Sequence, residues 1–416
     1  MRTSYATGLR CIKCGQAYPK KYLLECSVCK GLLELQYDLE GLARIRPCHL
    51  EGLNLWRYAP FLPIENSANF VSLGEGMTPL LFCPRLAEVL GLRELYIKFE
   101  GTNPTGTLKD RSSATAVSAA LEFGYRATAV VSTGNAGSSL AAYSARAGLY
   151  SFIFCYEKGA QPKMAHMGAC ASELVLYKGG YDDLIKIYDR LMEEEPIFEC
   201  GASRNPYKQE GKKTIAYEIY EQLGERVPDY FISPVAVGET FIATWRGFNE
   251  MKAIGWSDKL PTMVAAQARR ANPVALALAS RGPLVPQRIG YTIAEGVAVG
   301  DPGKKGEWVL RILREAKGLA GDASDEEIIE AQGLLAKTEG IWAGPTGCVT
   351  VAVLRDLVAK GAIPCEASVV CLVSETGLKG EYPRIEQEAI EPTLETVRRI
   401  LQKALDLGSD PKAKGP

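Results

Sequence analysis

The sequence holds only two histidines, His49 and His166. A metal site built on several histidines is therefore excluded. A Ser-His-Asp triad would have to use one of these two, and neither lies near a nucleophile-elbow pattern. Acid–base chemistry falls instead to a lysine, a carboxylate or a bound cofactor. Charge of one sign is not in excess either. Lys and Arg number 48 and Asp and Glu 49, a net of −1, so no basic field speaks for nucleic acid as a partner. No apolar run is long enough to span a bilayer. The opening MRTSYATGLRCIKC lacks the apolar core of a secretory leader, so the cytoplasm is the expected location. There is no GxGxxG motif, and a dinucleotide is not indicated. The EGKKT stretch at 210–214 lacks the earlier glycine of a P-loop. No internal repeat or low-complexity segment appears.

What is present fits a soluble globular chain. It has 416 residues, 47% hydrophobic and 23% charged, and two or three domains are the natural expectation. Of twelve cysteines, four stand close together: Cys11, Cys14, Cys26 and Cys29. Two CxxC knuckles separated by eleven residues have the spacing of a tetrahedral zinc ribbon, a closed and structural site. The other cysteines are scattered, mostly in apolar settings such as FIFCYE, and read as small reduced core residues.

A connector with Pro47, Pro60 and Pro63 follows the ribbon. From about residue 94 the chain alternates between apolar runs of strand length and helical patterns. ELYIKFE, ATAVVST, SFIFCY, SELVLY, DYFIS, TMVAAQA and ASVVCLVS read as strands. DRSSATAVSAALEFG, closed by Gly124, and NAGSSLAAYSARAG, closed by Gly148, read as helices. Further helices are expected at 210–223, from about 239, and from Ser324, where SDEE forms a capping box with Glu327. Continuous apolar strands alternating with helices mean an α/β fold with parallel sheets.

Such sheets bind ligands beyond the carboxyl ends of their strands, and four segments sit there. In NPTGTLKDR, Lys109 starts a helix. A cation there opposes the helix macrodipole, which lowers the amine's pKa and suits Schiff-base chemistry. The plain alternative is a solvated lysine balanced by Asp110. In STGNAGSS, Asn135 starts a helix, as a cap or as a partner to a ring oxygen. The turn Ala236-Val237-Gly238-Glu239-Thr240 has the position, though only one glycine, of a phosphate cradle. Ser374, Glu375 and Thr376 end the last buried strand, where a short hydroxyl meets a heterocycle nitrogen or simply closes a turn.

Taken in order, LGEGMTPL, FEGTNPTGTLKDR, STGNAGSSLAAYSARAG, NPYKQEGKKTIAYEI and TGLK resemble fold-type II pyridoxal-phosphate enzymes, most closely the threonine synthase family. The resemblance covers most of the chain and includes the four-cysteine segment. It implies two parallel-sheet αβα domains of the tryptophan synthase β type behind the zinc-ribbon-like segment. The expected division is 1–45 for the ribbon, 46–108 with 205–416 for the large cofactor-binding domain, and 109–204 for the small one. Lys109 would be the Schiff-base lysine and Asn135 the contact to the pyridine 3-hydroxyl. Residues 236–240 would hold the cofactor phosphate. Ser374, with Thr376 as the fallback, would meet the pyridine nitrogen. Ser132, Thr133, Ser203 and Lys208 would bind the substrate. Cys11, Cys14, Cys26 and Cys29 would hold zinc.

This sequence departs from the family pattern at several points. Leu108 replaces an aromatic, Glu239 enters the phosphate loop, TGHGLKD becomes SETGLKG, Ala202 replaces a substrate-phosphate ligand, and Lys208 replaces an arginine. The implied reaction is O-phospho-L-homoserine plus water to threonine plus phosphate. Two alternatives stay open: β-replacement or deamination of another serine- or threonine-like amino acid or its phosphate, and an inactive zinc-ribbon binding protein on the same scaffold. A homodimer is the expected assembly.

Overall fold

The run ASVVCLVS becomes a central strand of the larger of two parallel sheets. The structure is a computed structural model that describes residues 2–156, 161–178, 181–380 and 393–409. Residues 1–380 form one compact unit and residues 381–416 a second.

Three antiparallel strands build the N-terminal ribbon: β1 (Ala6–Cys11), β2 (Ala17–Pro19) and β3 (Leu33–Tyr37), in the order β2-β1-β3. The larger sheet contains β4 (Leu80–Phe82), β5 (Glu94–Phe99), β10 (Tyr230–Pro234), β11 (Thr262–Ala268), β12 (Leu319–Ala323) and β13 (Ser368–Val373). Its order is β12-β11-β10-β13-β5-β4, parallel throughout except for the edge strand β4. The smaller sheet is wholly parallel, in the order β8-β7-β6-β9, from β6 (Ala127–Val131), β7 (Tyr150–Tyr156), β8 (Glu173–Tyr177) and β9 (Phe198–Glu199).

The helices in chain order are α1 (Leu39–Leu42), α2 (Pro84–Leu90), α3 (Lys109–Glu122), α4 (Asn135–Ala147), α5 (Gln161–Cys170), α6 (Tyr181–Glu194), α7 (Pro206–Gln222), α8 (Glu239–Ala253), α9 (Pro273–Ala279), α10 (Gly303–Glu315), α11 (Asp325–Glu339), α12 (Pro345–Ala359) and α13 (Leu394–Ser409). Helix α13 belongs to the second unit and exposes Leu394, Val397, Ile400 and Leu401 along one stripe. No helix among the described residues is long and apolar enough to cross a membrane.

The larger sheet is apolar on both faces because side chains alternate along each strand. Phe231, Met263, Val370 and Leu372 enter one core, while Ile232, Val264, Val369 and Cys371 enter the other. This is why its strands read as continuous apolar runs.

Helix α7 begins earlier than the sequence pattern suggests, at Pro206 rather than residue 210. Asn205 caps it, accepting from the Tyr207 and Lys208 backbone N–H groups at 2.9 and 3.2 Å, and Pro206 occupies the first turn, where its missing N–H costs nothing. Helix α10 and strand β12 were not expected. Both lie between better-marked elements, and α10 carries the apolar spacing of WVLRIL.

Helices α3 and α7 pack at unusually close range. A Cβ added at Gly211 on α7 would lie 2.0 Å from the Arg111 carbonyl oxygen of α3. Backbone, unlike a flexible side chain, cannot yield cheaply. Gly211→Ala is therefore expected to destabilise the protein by about 1–3 kcal/mol, the usual cost of overpacking. Urea denaturation checks this, and an unchanged midpoint contradicts it.

Candidate active site

The chain turns back on itself after each parallel strand, and these turns meet in one cleft. Lys109 follows β5, Asn135 follows β6, residues 235–238 follow β10, and Ser374 follows β13. Two adjoining cavities share Leu108, Lys109, Gly296, Thr346 and Ser374 in their walls. One, of about 260 Å³, is also lined by Ser132, Thr133, Asn135, Lys163 and Glu375. The other, of about 210 Å³, is also lined by Lys212 and by Ala236 to Thr240. A larger open concavity of about 790 Å³ involves Arg93, Asp229 and Ser368. It lies at the opposite, amino edge of the strands, where open α/β sheets do not bind their ligands.

The two residues that follow Lys109 are both anchored. Asp110 accepts from the Thr105 backbone N–H at 2.7 Å and from the hydroxyls of Thr105 and Ser139 at 2.5 and 2.6 Å. Burial pushes its carboxyl up to about 6 in spite of these bonds. Arg111 is fully buried and donates through Nε and Nη2 to both oxygens of Glu100, at 2.7 and 2.8 Å. It also donates to both oxygens of Glu218, whose second cation is Lys98 at 2.7 Å. Beside these anchors the Lys109 amine has no hydrogen bond to another described residue. Burial, and next the ammonium groups of Lys212 and Lys208, push it down to about 7. Burial, rather than the helix macrodipole invoked from the sequence, is the larger cause.

Asn135 donates from Nδ2 to Glu375, while its Oδ1 is buried without a partner. The segment 236–240 enters α8 through Gly238, which has φ of +98°. A Cβ on Gly238 would meet Val309 Cγ2 at 2.3 Å, so this position accepts only glycine. Glu239 is paired with Lys212 and lies 3.5 Å from Lys305. Burial alone would raise its carboxyl, but the Lys212, Lys305 and Lys208 ammonium groups hold it well below the usual range.

The remaining expected residues divide. Ser132 and Thr133 line the first cavity, and Ser374 lines both. Thr376 lines neither; its hydroxyl accepts from the Leu378 N–H at 3.2 Å and caps a short turn. Ser203 and Lys208 do not converge on the cleft. Ser203 is exposed, and Lys208, buried in the first turn of α7, donates to the Cys200 carbonyl at 2.5 Å.

Several lining groups were missed. Lys212 belongs to EGKKT, which is no P-loop yet sends this lysine into the cleft. Glu375 stands inside the SETGLKG departure, which was the available signal. Lys163 pairs with Glu295 at 3.2 Å in the wall of the first cavity, and nothing in the sequence marked either one. Neither histidine lines the cleft; His166 is bonded to Ser138 at 2.5 Å.

The ribbon is a separate centre. The Sγ atoms of Cys11, Cys14, Cys26 and Cys29 all lie within 4.8 Å of one another. The Cys11–Cys29 and Cys14–Cys26 separations are 3.5 and 3.6 Å. A tetrahedral zinc with bonds of about 2.3 Å calls for sulfur separations of about 3.8 Å, so the donor set fits that ion.

The family model for pyridoxal-phosphate dependent enzymes matches residues 71–375, and the chain belongs to that family. Its relatives narrow the class. Over 403 residues the chain is 37% identical to the threonine synthase of Methanocaldococcus jannaschii, covering 95% of this chain and 99% of that protein. It is 36% identical to the threonine synthase of Methanosarcina acetivorans, over 94% and 98% of the two chains. Among solved structures, maize serine racemase superposes with a TM-score of 0.64 at 18% identity, covering 80% of this chain and 94% of that one. At that identity the likeness concerns the fold alone.

The cleft fits the family's cofactor. It offers one free amine for an aldehyde, an unpartnered amide oxygen at Asn135, and a cationic end beside a helix N-terminus. If the Lys109 amine is as depressed as its surroundings dictate, its labelling by an amine-directed acylating reagent in the cofactor-free chain should rise with a midpoint near pH 7. The pH dependence of Lys109 modification, followed by peptide mass mapping, checks this. A midpoint near 10, that of an ordinary lysine, contradicts it.

Proposed function

We propose that this chain is a threonine synthase that uses pyridoxal phosphate to turn O-phospho-L-homoserine and water into threonine and phosphate. The observation that carries the reading is the unpaired, depressed amine of Lys109 in a cleft whose family and relatives use that cofactor. Bound pyridoxal phosphate supplies the electron sink for carbanion chemistry at the amino acid's Cα.

The chain's own groups do the rest. Lys109 would hold the cofactor through its aldehyde and, once displaced by the substrate amine, would serve as general base. Near neutral pH its amine is able to take the proton from Cα and later to return one. The Asn135 Oδ1, without a partner among the described residues, would accept from the ring hydroxyl. Ser374, which lines both cavities, would meet the ring nitrogen with a hydroxyl. A hydroxyl there does not enforce protonation, which moderates the sink and suits elimination and replacement. Ser132 and Thr133, at the start of α4, bind the substrate carboxylate. The Lys163–Glu295 pair lies where a substrate anion would compete with Glu295 for the ammonium.

A second reading, the same chemistry on another serine- or threonine-like substrate, is favoured by one observation. Ser203 and Lys208, the expected holders of a substrate phosphate, do not reach the cleft. A panel of O-phosphohomoserine, phosphoserine, phosphothreonine, serine and threonine, read out as phosphate, ammonia and amino-acid products, separates the two. Threonine and phosphate from O-phosphohomoserine alone is the expected result, and turnover of any other member in preference replaces it. Lys109→Ala should abolish turnover while leaving the thermal midpoint near that of the native chain. Full turnover by that variant sinks the mechanism.

We also propose that the ribbon holds one structural zinc. Elemental analysis should find zinc near one equivalent per chain, absent when all four cysteines are replaced by serine. A purified native chain free of zinc would contradict this.

A further inference from the structure

Three lysines and one carboxylate are buried together at the end of the cleft formed by residues 236–240. Lys208, Lys212 and Lys305 are 3%, 1% and 4% exposed in residue or side-chain terms, and Glu239 is 4% exposed. Burial, and next the neighbouring ammonium groups, lower the Lys305 amine to about 8, and Lys212 is lowered for the same reasons. With all four groups charged, three positive and one negative leave a surplus of two positive charges. Buried charge is costly unless it is paired. A surplus of this size and sign marks the place of a dianion.

The geometry shows which lysine faces that anion. Lys208 donates to the Cys200 carbonyl, and Lys305 donates to the Ala202 carbonyl at 2.6 Å. Both stand behind the cavity wall. Lys212 is in the wall, and Glu239 is its one recorded acceptor. An ammonium has three donors, so Lys212 keeps donors for a ligand. Glu239, besides Lys212, has Lys305 at 3.5 Å and one oxygen without a hydrogen bond. It therefore has a cation to stay with when Lys212 turns to an incoming anion. Beside them the first turn of α8 begins at Gly238 without a side-chain cap, so its N–H groups also face this end of the cavity.

Resting on the pyridoxal-phosphate reading above, we infer that Lys212 is a direct ligand of the cofactor's phosphate, and that Glu239, its partner in the empty site, falls back on Lys305 when the phosphate binds. In this arrangement a charged side chain does the work that a glycine-rich loop does with backbone N–H groups alone. It also explains why Glu239 is tolerated in a phosphate loop, because its charge is already matched. The phosphate of the substrate is the other source of the same chemistry.

The test compares pyridoxal phosphate with pyridoxal, which lacks the phosphate. Each is titrated into the full-length chain freed of cofactor, and binding is followed by the absorbance of the lysine-linked cofactor. Lys212→Ala and Lys212→Gln should weaken pyridoxal phosphate by roughly tenfold or more, the scale of a lost charge-assisted hydrogen bond. Pyridoxal affinity should stay as in the native chain. Lys212→Arg should recover most of the loss. Glu239→Gln, which removes the competing anion, should tighten pyridoxal phosphate. Lys212 variants that bind pyridoxal phosphate as tightly as the native chain overturn the inference. So does a result in which they raise only the KM for O-phosphohomoserine, which would give the cluster to the substrate. If the native chain itself fails to bind pyridoxal phosphate, the cofactor reading falls and not merely the role of Lys212.

Discussion

Arg111 ties together the parts that make the cleft. Its guanidinium takes both oxygens of Glu100, at the end of β5, and both oxygens of Glu218, on α7. Lys98 on β5 completes the set at Glu218, and the Thr78 hydroxyl donates to Glu100 at 2.7 Å. Two cations and two anions balance inside the protein, all four side chains fully buried. Planar, bidentate pairing is what arginine does and lysine does not. Removing one member of such a set strands a buried charge at a cost of about 3–5 kcal/mol. The network therefore admits one position for the start of α3, and Lys109 is two residues away. Asp110 adds a second tether to α4 through Ser139, and Gly211 lets α7 approach near enough for Glu218 to reach. Both sheets thus fix Lys109, the one lysine lining the cleft whose amine has no hydrogen bond or ion pair among the described residues.

The cleft carries its charge in an unusual way. Lysines rather than glycines crowd the end where a phosphate belongs, and a carboxylate sits among them. Burial does most to depress Lys109, and the Lys212 and Lys208 ammonium groups add to it, so anion binding and amine reactivity share part of their electrostatic source. On the proposed reading, filling the site with a dianion would bring the local sum to neutrality, so cofactor binding would also stabilise the folded chain.

The strands were legible because their apolar runs have to cover both faces of a parallel sheet, as Phe231 and Ile232 show by pointing into opposite cores. Lys109, Asn135 and the 236–240 turn were legible because each stands in a strand-to-helix connection, and the order of the motifs resembles a known family. What stayed hidden came from tertiary placement. Lys212 and Lys305 sit on helices α7 and α10, and no local spacing tells which of the two buried lysines at 212–213 faces the cleft, or which of the pair at 304–305 turns inward. Lys304 reaches Glu25 of the ribbon at 3.0 Å, while Lys305 reaches Glu239. Ser203 and Lys208 misled for the opposite reason. The motif marks them, but the Asn205 cap starts α7 early and turns Lys208 back onto the Cys200 carbonyl.

The account stands on Lys109 being the amine that meets the cofactor, although Lys212 and Lys305 are buried close by with lowered pKa values of their own. Borohydride reduction of the pyridoxal-phosphate-loaded chain, followed by proteolysis and mass mapping of the pyridoxyl group, tests this most directly. The account predicts the label on Lys109 alone. A label on Lys212 or Lys305, or none on any lysine of the cleft, would contradict it.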